Sequence, residues 1–285
     1  MNRWSSTTTR GNSAWWLSVV VLLTGPAAVQ GSEESAEPAP TSAITIAAPI
    51  GHPVVGERLS FHGHWFGIPV GLGWIEVKGL EDLDGRKVYH IEAQGQTNDV
   101  LSTLYPIHDV VHSFIDAETL QPLRFEKHQR EGHYRSDEVV TFNPSTRRAA
   151  YRSLLNQSTK DVDLPDQFQD LISALYWFRR QPITPESTMQ VNLYTDEKIY
   201  ETTLLIKPPM TLELLKRGTF PCLVVEPKAS FKGLLVKRGR IWAYLTTDAR
   251  RLPLLVKATT PWGAMSAVLD EESLLPPSTT TVTPQ

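Results

Sequence analysis

Histidines are the side chains of this chain best suited to metal binding or acid–base chemistry, and all eight fall in its first half. His62 and His64 are two residues apart, so they share one face of a strand. His108 and His112 are four apart, a spacing that brings two side chains together on a helix. Neither pair belongs to an HExxH or CxxC pattern of the kind that holds zinc. We therefore predict solvated histidines, with no metal and no cofactor.

Nucleophilic catalysis has no complete motif in the sequence either. The GxSxG turn that exposes a hydrolase serine is absent. Ser173 and Tyr176 lie three apart in a helical segment, where a buried helix face accounts for both. Cys222 is the only cysteine, and its apolar strand predicts a small core residue. We predict no catalytic residue, although an envelope hydrolase that uses histidine and carboxylate groups of the first half is an alternative.

The segment Asp248-Ala249-Arg250-Arg251 separates two apolar strands. One interpretation is a hairpin turn in which Asp248 caps the local backbone and an arginine pairs with it. The other is a contact between the two arginines and an anion or headgroup at a rim. The local sequence is compatible with both interpretations.

Hydrophobic periodicity predicts the elements that position these residues. Leu59, Phe61 and Gly63 alternate with polar neighbours, which is typical of a strand with one buried face. The same period of two recurs at 88–93 and 189–194, with turn signals between the runs. Many short strands with hairpin-sized connections predict antiparallel pairing.

One segment has helical periodicity instead. Between Asp163 and Arg180 the apolar side chains form a single helical stripe, made of Phe168, Leu171, Ile172, Leu175 and Phe178. Asp163 is the expected N-cap, Pro165 falls in the first turn, and Pro182 follows the last turn. A second and weaker helical pattern covers 98–104, a segment that could equally be a strand.

The start of the chain predicts export. A hydrophobic run from Trp15 to Leu23 follows two arginines and precedes small residues, which indicates a signal peptide over 1–31. The run is too short to cross a bilayer. Residues 32–50 and 273–285 are polar and rich in proline, so we expect a linker and a tail. The remaining 51–272 form one β-rich domain, expected in the periplasm without a transmembrane segment.

Composition argues against a nucleic-acid partner. Removal of residues 1–31 leaves 26 Lys and Arg against 31 Asp and Glu, a formal charge of −5. The basic clusters are short and lack interleaved aromatic residues, unlike nucleic-acid binding surfaces. With 41% hydrophobic residues and no disulfide, the fold must be held by burial.

Three motifs together resemble a known family of bacterial exported proteins. They are GERLSFHGHWFGIPVG at 56–71, DLISALYWFRRQP at 170–182 and IWAYLTTDARRLPLLVK at 241–257. Their order and spacing are similar to those of domain of unknown function 3108, from about Gly56 to Leu269. The resemblance implies a Gram-negative periplasmic or envelope location and an antiparallel β fold. It implies no established reaction.

We predict an all-β fold of strongly curved antiparallel sheets, either an open barrel or a two-sheet sandwich, with one amphipathic helix. Gly67, Gly71 and Gly73 favour curvature at the start of one strand. Both faces of the strand at 241–245 are apolar, whereas a sheet with one face in solvent needs apolar side chains on only one face.

A curved sheet of this kind can enclose an apolar ligand. The expected function is therefore a non-enzymatic periplasmic or cell-envelope protein that binds a lipid or glycolipid-like ligand. A structural interaction module is a further alternative, and the sequence names no protein partner. The predicted ligand-binding residues are Trp65, Trp74, Trp242, Tyr244, Arg250 and Arg251.

Overall fold

The computed structural model describes residues 44–49, 51–214, 217–231, 234–235, 239–260 and 263–275. Within these residues, two α-helices and one 3-10 helix accompany a large set of strands. The helices are α1 (Asp99–Ser102), α2 (Leu171–Arg180) and a 3-10 turn at Glu271–Leu274. The strands are β1 (Arg58–Trp65), β2 (Ile68–Leu83), β3 (Arg86–Thr97), β4 (His108–Asp116), β5 (Pro122–Glu131), β6 (Tyr134–Asn143), β7 (Arg148–Ser153), β8 (Thr159–Asp163), β9 (Ser187–Thr195), β10 (Lys198–Ile206), β11 (Met210–Leu214), β12 (Gly218–Phe231), β13 (Leu234–Leu235), β14 (Arg240–Thr246), β15 (Pro253–Thr260) and β16 (Gly263–Leu269).

The strands form one continuous antiparallel sheet in the order β8-β7-β6-β5-β4-β3-β2-β1-β16-β15-β14-β12-β10-β9. Most neighbours are consecutive in sequence, and β1 pairs with β16 to join the two halves of the chain. Strands β11 and β13 pair with the ends of the long β12. In the described part of the chain β8 and β9 do not pair, so the sheet is open at one seam.

The two sides of this seam face each other through side chains. The ring centroids of Phe142 on β6 and Tyr194 on β9 are 5.0 Å apart. A main-chain bridge also joins Gln169, just before α2, to Leu193 on β9. These contacts curl the sheet into an open barrel. The all-β prediction is confirmed, and the barrel is the correct choice over the sandwich.

Curvature at the β1–β2 hairpin has a local cause. Phe66 and Gly67 form a tight turn with φ of 48° and 79°. The pairing register shifts after Gly63, which marks a β-bulge. At Gly71 a Cβ atom would collide with the carbonyl oxygen of Gln96 on β3. Only glycine therefore lets the two strands approach this closely.

Helix α2 begins later than the sequence predicts. The expected N-cap at Asp163 is wrong, because this residue ends β8 and pairs with Arg148 on β7. Asp170 is the N-cap instead. Its Oδ1 accepts from the main-chain N–H of Ser173 at 2.7 Å, and the Ser173 hydroxyl accepts from the Asp170 N–H at 2.8 Å. This capping box satisfies two backbone donors and fixes the start of the helix at Leu171. The weaker helical segment is confirmed as the single turn α1.

Helix α2 lies between opposite walls of the barrel. Ile172 and Tyr176 pack in a buried cluster with residues of β2, β3 and β4. Phe178 packs against residues of β10, β12 and β14. Because the helix is enclosed, burial extends beyond the predicted apolar stripe and includes Ser173 and Arg179. Ser173 and Tyr176 are thus buried helix residues, as predicted.

A buried ion pair joins the end of α2 to the segment before β1. Arg179 donates from Nη1 and Nη2 to the two carboxylate oxygens of Glu57 at 2.6 and 2.7 Å. Burial alone would lower the pKa of Arg179, but the hydrogen bonds and charge of Glu57 raise it above its ordinary value. The bidentate geometry pairs the two charged groups where both side chains are largely buried.

The predicted signal peptide and most of the predicted linker lie outside the described residues, as does the tail from 276 onward. Ala47, within the predicted linker, donates its N–H to the carbonyl of Thr247 at 2.8 Å. Ser273, at the start of the predicted tail, is buried and accepts from the N–H of Ser60 at 2.9 Å. Among the described residues, no helix is long and apolar enough to cross a membrane.

Candidate ligand-binding site

The six predicted ligand-binding residues lie in three separate parts of the barrel. Trp242 and Tyr244 are two residues apart on β14 and share one face of the sheet. Trp65 and Trp74 belong to the β1–β2 hairpin. The two arginines lie in the β14–β15 turn, at the opposite end of β14 from Trp242. The fold therefore brings only the β14 pair together.

Trp242 and Tyr244 are half-buried, and a cationic side chain lies beside each ring. The guanidinium carbon of Arg240 is 4.6 Å from the centroid of Trp242, and Lys257 Nζ is 5.6 Å from the centroid of Tyr244. Lys257 is also the cross-strand partner of Trp242 in the β14–β15 ladder. Both distances suit cation–π attraction. The two rings pack at the edge of a buried apolar cluster that includes Cys222 and Leu255.

Three cations converge on one carboxylate beside Trp242. Glu226 on β12 lies 2.6 Å from Lys228 Nζ, 3.1 Å from Arg240 Nε and 3.2 Å from Lys207 Nζ. Its side chain is only 2% exposed, whereas all three cations are at least 37% exposed. Burial raises the pKa of Glu226, but the hydrogen bonds from the three cations more than offset this and hold the pKa at about 2.

Glu226 is thus ionised, and its single negative charge leaves an excess of positive charge on this face. We call this face the basic aromatic surface. It comprises three cations that contact Glu226, which are Lys207, Lys228 and Arg240, together with Trp242, Tyr244 and Lys257 on β14 and β15. Exposed cations above aromatic rings can bind an anionic group that carries an apolar or sugar portion. Sequence reasoning found the two aromatic residues and missed the four cations, which three different strands and the end of a fourth supply.

Arg250 and Arg251 contact main-chain carbonyls. Arg251 is 1% exposed and donates to the carbonyls of Arg179 and Gln181 at the end of α2. Arg250 donates to carbonyls at the end of the 3-10 turn, including that of Leu274 at 2.8 Å. Asp248 Oδ1 caps the turn by accepting the N–H groups of both arginines, at 3.0 and 3.1 Å. Capping by Asp248 agrees with the hairpin interpretation, but the arginine side chains bond elsewhere.

Trp65 and Trp74 have unlike surroundings. Trp65 is 40% exposed at the end of β1, and its ring centroid lies 5.5 Å from that of Phe66. Trp74 is half-buried on β2, with the guanidinium carbon of Arg58 4.5 Å from its ring centroid. Neither residue belongs to the basic aromatic surface.

The histidines meet across strands, in a grouping that their sequence spacing did not predict. His90 Nε2 on β3 lies 3.0 Å from His112 Nδ1 on β4, and His90 Nδ1 lies 2.7 Å from Glu81 Oε1. His128 on β5 pairs with Asp137 at 2.8 Å. Burial lowers the pKa of His112, and the neighbouring His90 lowers it further.

The histidine pairs read from the sequence do not form a donor set. His108 and His112 both lie on β4, where four residues span about 13 Å, too far for a shared ion. His62 and His64 share a face of β1, and His62 Nε2 lies 3.4 Å from Asp270. Across the described residues, no group of three His, Cys, Asp or Glu side chains is placed to hold a metal ion.

A small cavity lies at the end of α2, bordered by Tyr176, Arg179, Arg180 and Arg250. Its volume of about 10 Å³ is roughly that of one water molecule. This cavity cannot hold an acyl chain. The basic aromatic surface, by contrast, offers exposed cations and aromatic rings to a ligand.

The architecture defines a class of protein: an open antiparallel β-barrel with a helix enclosed in it. A solved structure with this fold is a β-barrel-like protein of domain of unknown function DUF1849 from Brucella abortus. It has a TM-score of 0.52 and 11% identity, and the match covers 77% of this chain and 97% of that one. At this identity the likeness concerns the fold alone.

The chain belongs to the family described as protein of unknown function DUF3108, whose model matches residues 60–270. The family expected from the three sequence motifs is thus confirmed. A protein from Bacteroides fragilis described as exported, with a YmcC-like fold, also matches at 12% identity over 79% of this chain and 98% of that one, with a TM-score of 0.29. No curated protein matches the sequence.

Proposed function

We propose that this protein is a non-enzymatic component of the bacterial cell envelope that binds an anionic amphiphile, such as a lipid or glycolipid, on its basic aromatic surface. The observation that carries the proposal is the grouping of three cations around one buried carboxylate, next to two aromatic rings that lie beside Arg240 and the exposed Lys257. The signal peptide predicted over 1–31 would place the protein in the periplasm, where such ligands occur.

The chemistry of this surface favours a ligand with two parts. Lys228 and Arg240 reach Glu226 with only part of their hydrogen-bonding capacity, since Lys has three donors and Arg has five. Because the two side chains are 37% and 51% exposed, donors that are not bonded to Glu226 can bind phosphate or carboxylate oxygens. Trp242 and Tyr244 offer apolar ring area beside these donors for an acyl chain or a sugar ring.

Binding can be measured by isothermal titration of the full chain with dihexanoylphosphatidylglycerol, an anionic lipid, kept below its micellar concentration. We expect saturable binding that weakens as salt rises, because exposed charges are screened. Dihexanoylphosphatidylcholine, which is zwitterionic, should bind more weakly.

Charge variants assign this binding to the basic aromatic surface. The double variant Lys228→Gln with Lys257→Gln should bind the anionic lipid about tenfold more weakly, since two exposed ionic contacts are together worth about 1.4 kcal/mol. Lys78→Gln with Lys87→Gln removes two exposed lysines from β2 and β3 and serves as the matched control. Equal affinity of both variants for the lipid would contradict the proposed site.

The alternative of an envelope hydrolase would use the histidine group on β3, β4 and β5. Its strongest feature is the 3.0 Å contact between His90 and His112, beside the carboxylate of Glu92 at 3.9 Å from His112. Among the described residues, these side chains do not join a three-donor metal group. Ester hydrolysis that His112→Ala abolishes would favour this alternative over the binding function.

A further inference from the structure

Among the described residues, four of the five large apolar side chains that are more than 60% exposed lie at one end of the barrel. Phe66 and Ile68, at the β1–β2 turn, are 63% and 64% exposed. Val100 and Leu104, in the loop between β3 and β4, are 79% and 81% exposed. Together with Trp65 they form what we call the apolar end. Apolar groups this exposed and this close together usually mark an interaction surface rather than ordinary surface composition.

Main-chain contacts hold the loops of the apolar end side by side. Asn98, which caps α1, donates from its side chain to the carbonyl of Pro69 and from its N–H to that of Val70, both at 2.9 Å. Phe66 donates its N–H to the carbonyl of Ala264 at 2.9 Å. The Phe66 ring fills the space that a side chain at residue 263 would occupy. The apolar side chains are therefore presented as one group by a braced set of hairpins.

The two segments that form the apolar end are nearly free of charge. Segments 65–70 and 98–107 contain a single charged residue, Asp99. Burial of ionised groups is the main cost of moving a protein surface into an apolar environment. Transfer of these two segments out of water would bury few such groups. Trp65 adds an aromatic residue of the type that is favoured at membrane interfaces.

Cations border the apolar end on one side. In the sheet, Ala264 on β16 pairs with Thr259 on β15, and Thr259 pairs with Arg240 on β14. Arg240 is thus two strands, or about 10 Å, from the residue that accepts the Phe66 N–H. The basic aromatic surface starts at this edge and continues to Lys257, two strand residues from Thr259. An apolar tip bordered by cations is complementary to a lipid surface with anionic headgroups.

From this arrangement we infer that the apolar end inserts into the surface of an anionic phospholipid bilayer while the basic aromatic surface faces the headgroups. The inference rests on the proposed function, because it names the place where that surface meets its ligand. The bilayer is favoured over a partner protein by the adjacent cations, which match the charge of anionic headgroups. Insertion is shallow, since the tips project only a few residues beyond the sheet.

The test is flotation of the full chain with vesicles of phosphatidylcholine that contain about 30% phosphatidylglycerol, compared with vesicles of phosphatidylcholine alone. We expect wild-type protein to float with the anionic vesicles and to bind the neutral ones at least tenfold more weakly. Phe66→Ser with Leu104→Ser should reduce binding to anionic vesicles at least tenfold. Leu80→Ser with Met210→Ser removes two exposed apolar residues outside the apolar end and should change nothing.

A second measurement separates this inference from the proposed function. The Phe66→Ser, Leu104→Ser variant should still bind soluble dihexanoylphosphatidylglycerol with wild-type affinity, which also shows that it is folded. Vesicle binding equal to that of the wild type in this variant would overturn the inference, and so would a wild-type protein that binds the soluble lipid but never floats. Absence of both soluble-lipid and vesicle binding in the wild type would overturn the proposed function as well.

Discussion

Substitution of Glu57 by glutamine tests whether the buried ion pair with Arg179 holds the enclosed helix in place. The Glu57 side chain is 2% exposed and that of Arg179 is 11% exposed. Neutralising Glu57 leaves the guanidinium of Arg179 buried without a counter-ion, and Arg250 Nη2 lies only 4.0 Å from the same carboxylate. Breaking one partner of a buried pair costs about 3–5 kcal/mol.

Urea denaturation followed by circular dichroism measures this loss, provided that the variant and the wild type have the same slope of unfolding free energy against urea concentration. For a domain of this size we expect the melting temperature to fall by about 6–20 °C. Glu76→Gln is the matched control, because its 2.7 Å pair with Arg58 is exposed on the arginine side and should contribute at most about 1 kcal/mol. Equal losses in Glu57→Gln and Glu76→Gln would refute the reasoning.

A compensating double variant separates lost pairing from lost packing. Glu57→Leu with Arg179→Met removes both charges and keeps most of the buried volume, so we expect it to recover most of the stability lost in Glu57→Gln. If the double variant is no more stable than Glu57→Gln, the loss of stability comes from the changed shape of the site or from the lost hydrogen bond between Arg179 Nε and the Arg250 carbonyl.

Three further results are expected. Because burial and His90 lower the pKa of His112, the unfolded chain takes up a proton first, so the free energy of unfolding should fall below about pH 6.5, and His112→Gln should flatten this fall. Burial raises the pKa of Cys222 to about 11, so a thiol reagent should label it only upon unfolding. Gly71→Ala should cost about 1–3 kcal/mol by crowding β3, whereas Gly79→Ala, with open space around it, should be near neutral in urea melts.

The strands and the turns between them could be predicted from the sequence, because alternation and turn-forming residues are local features. Leu59 is fully buried on β1 while Arg58 is exposed, as the period of two requires. The start of α2 was not readable in the same way. Asp163 and Asp170 are both acceptable caps by type, and the pairing of Asp163 with β7 decides between them. Such pairing depends on the assembled sheet.

The candidate site was readable only in part, for the same reason. Trp242 and Tyr244 share a face by local alternation, and this placed them together correctly. Lys228 shares a face with Glu226 by the same alternation on β12, whereas Lys207 reaches Glu226 only because β10 pairs with β12. The burial of Arg251 depends on α2, which is about 70 residues away along the chain. Long-range packing decides these positions, and local sequence carries no signal of it.

Tryptophan fluorescence of variants in which one tryptophan is replaced by phenylalanine tests most directly whether the basic aromatic surface is the binding site. Trp242 and Trp74 are both half-buried, with an arginine 4.6 and 4.5 Å from the ring centroid, so they form a matched pair. We expect the emission change that accompanies binding of dihexanoylphosphatidylglycerol to disappear in Trp242→Phe and to persist in Trp74→Phe. An unchanged response in Trp242→Phe, or its loss in Trp74→Phe alone, would contradict the account.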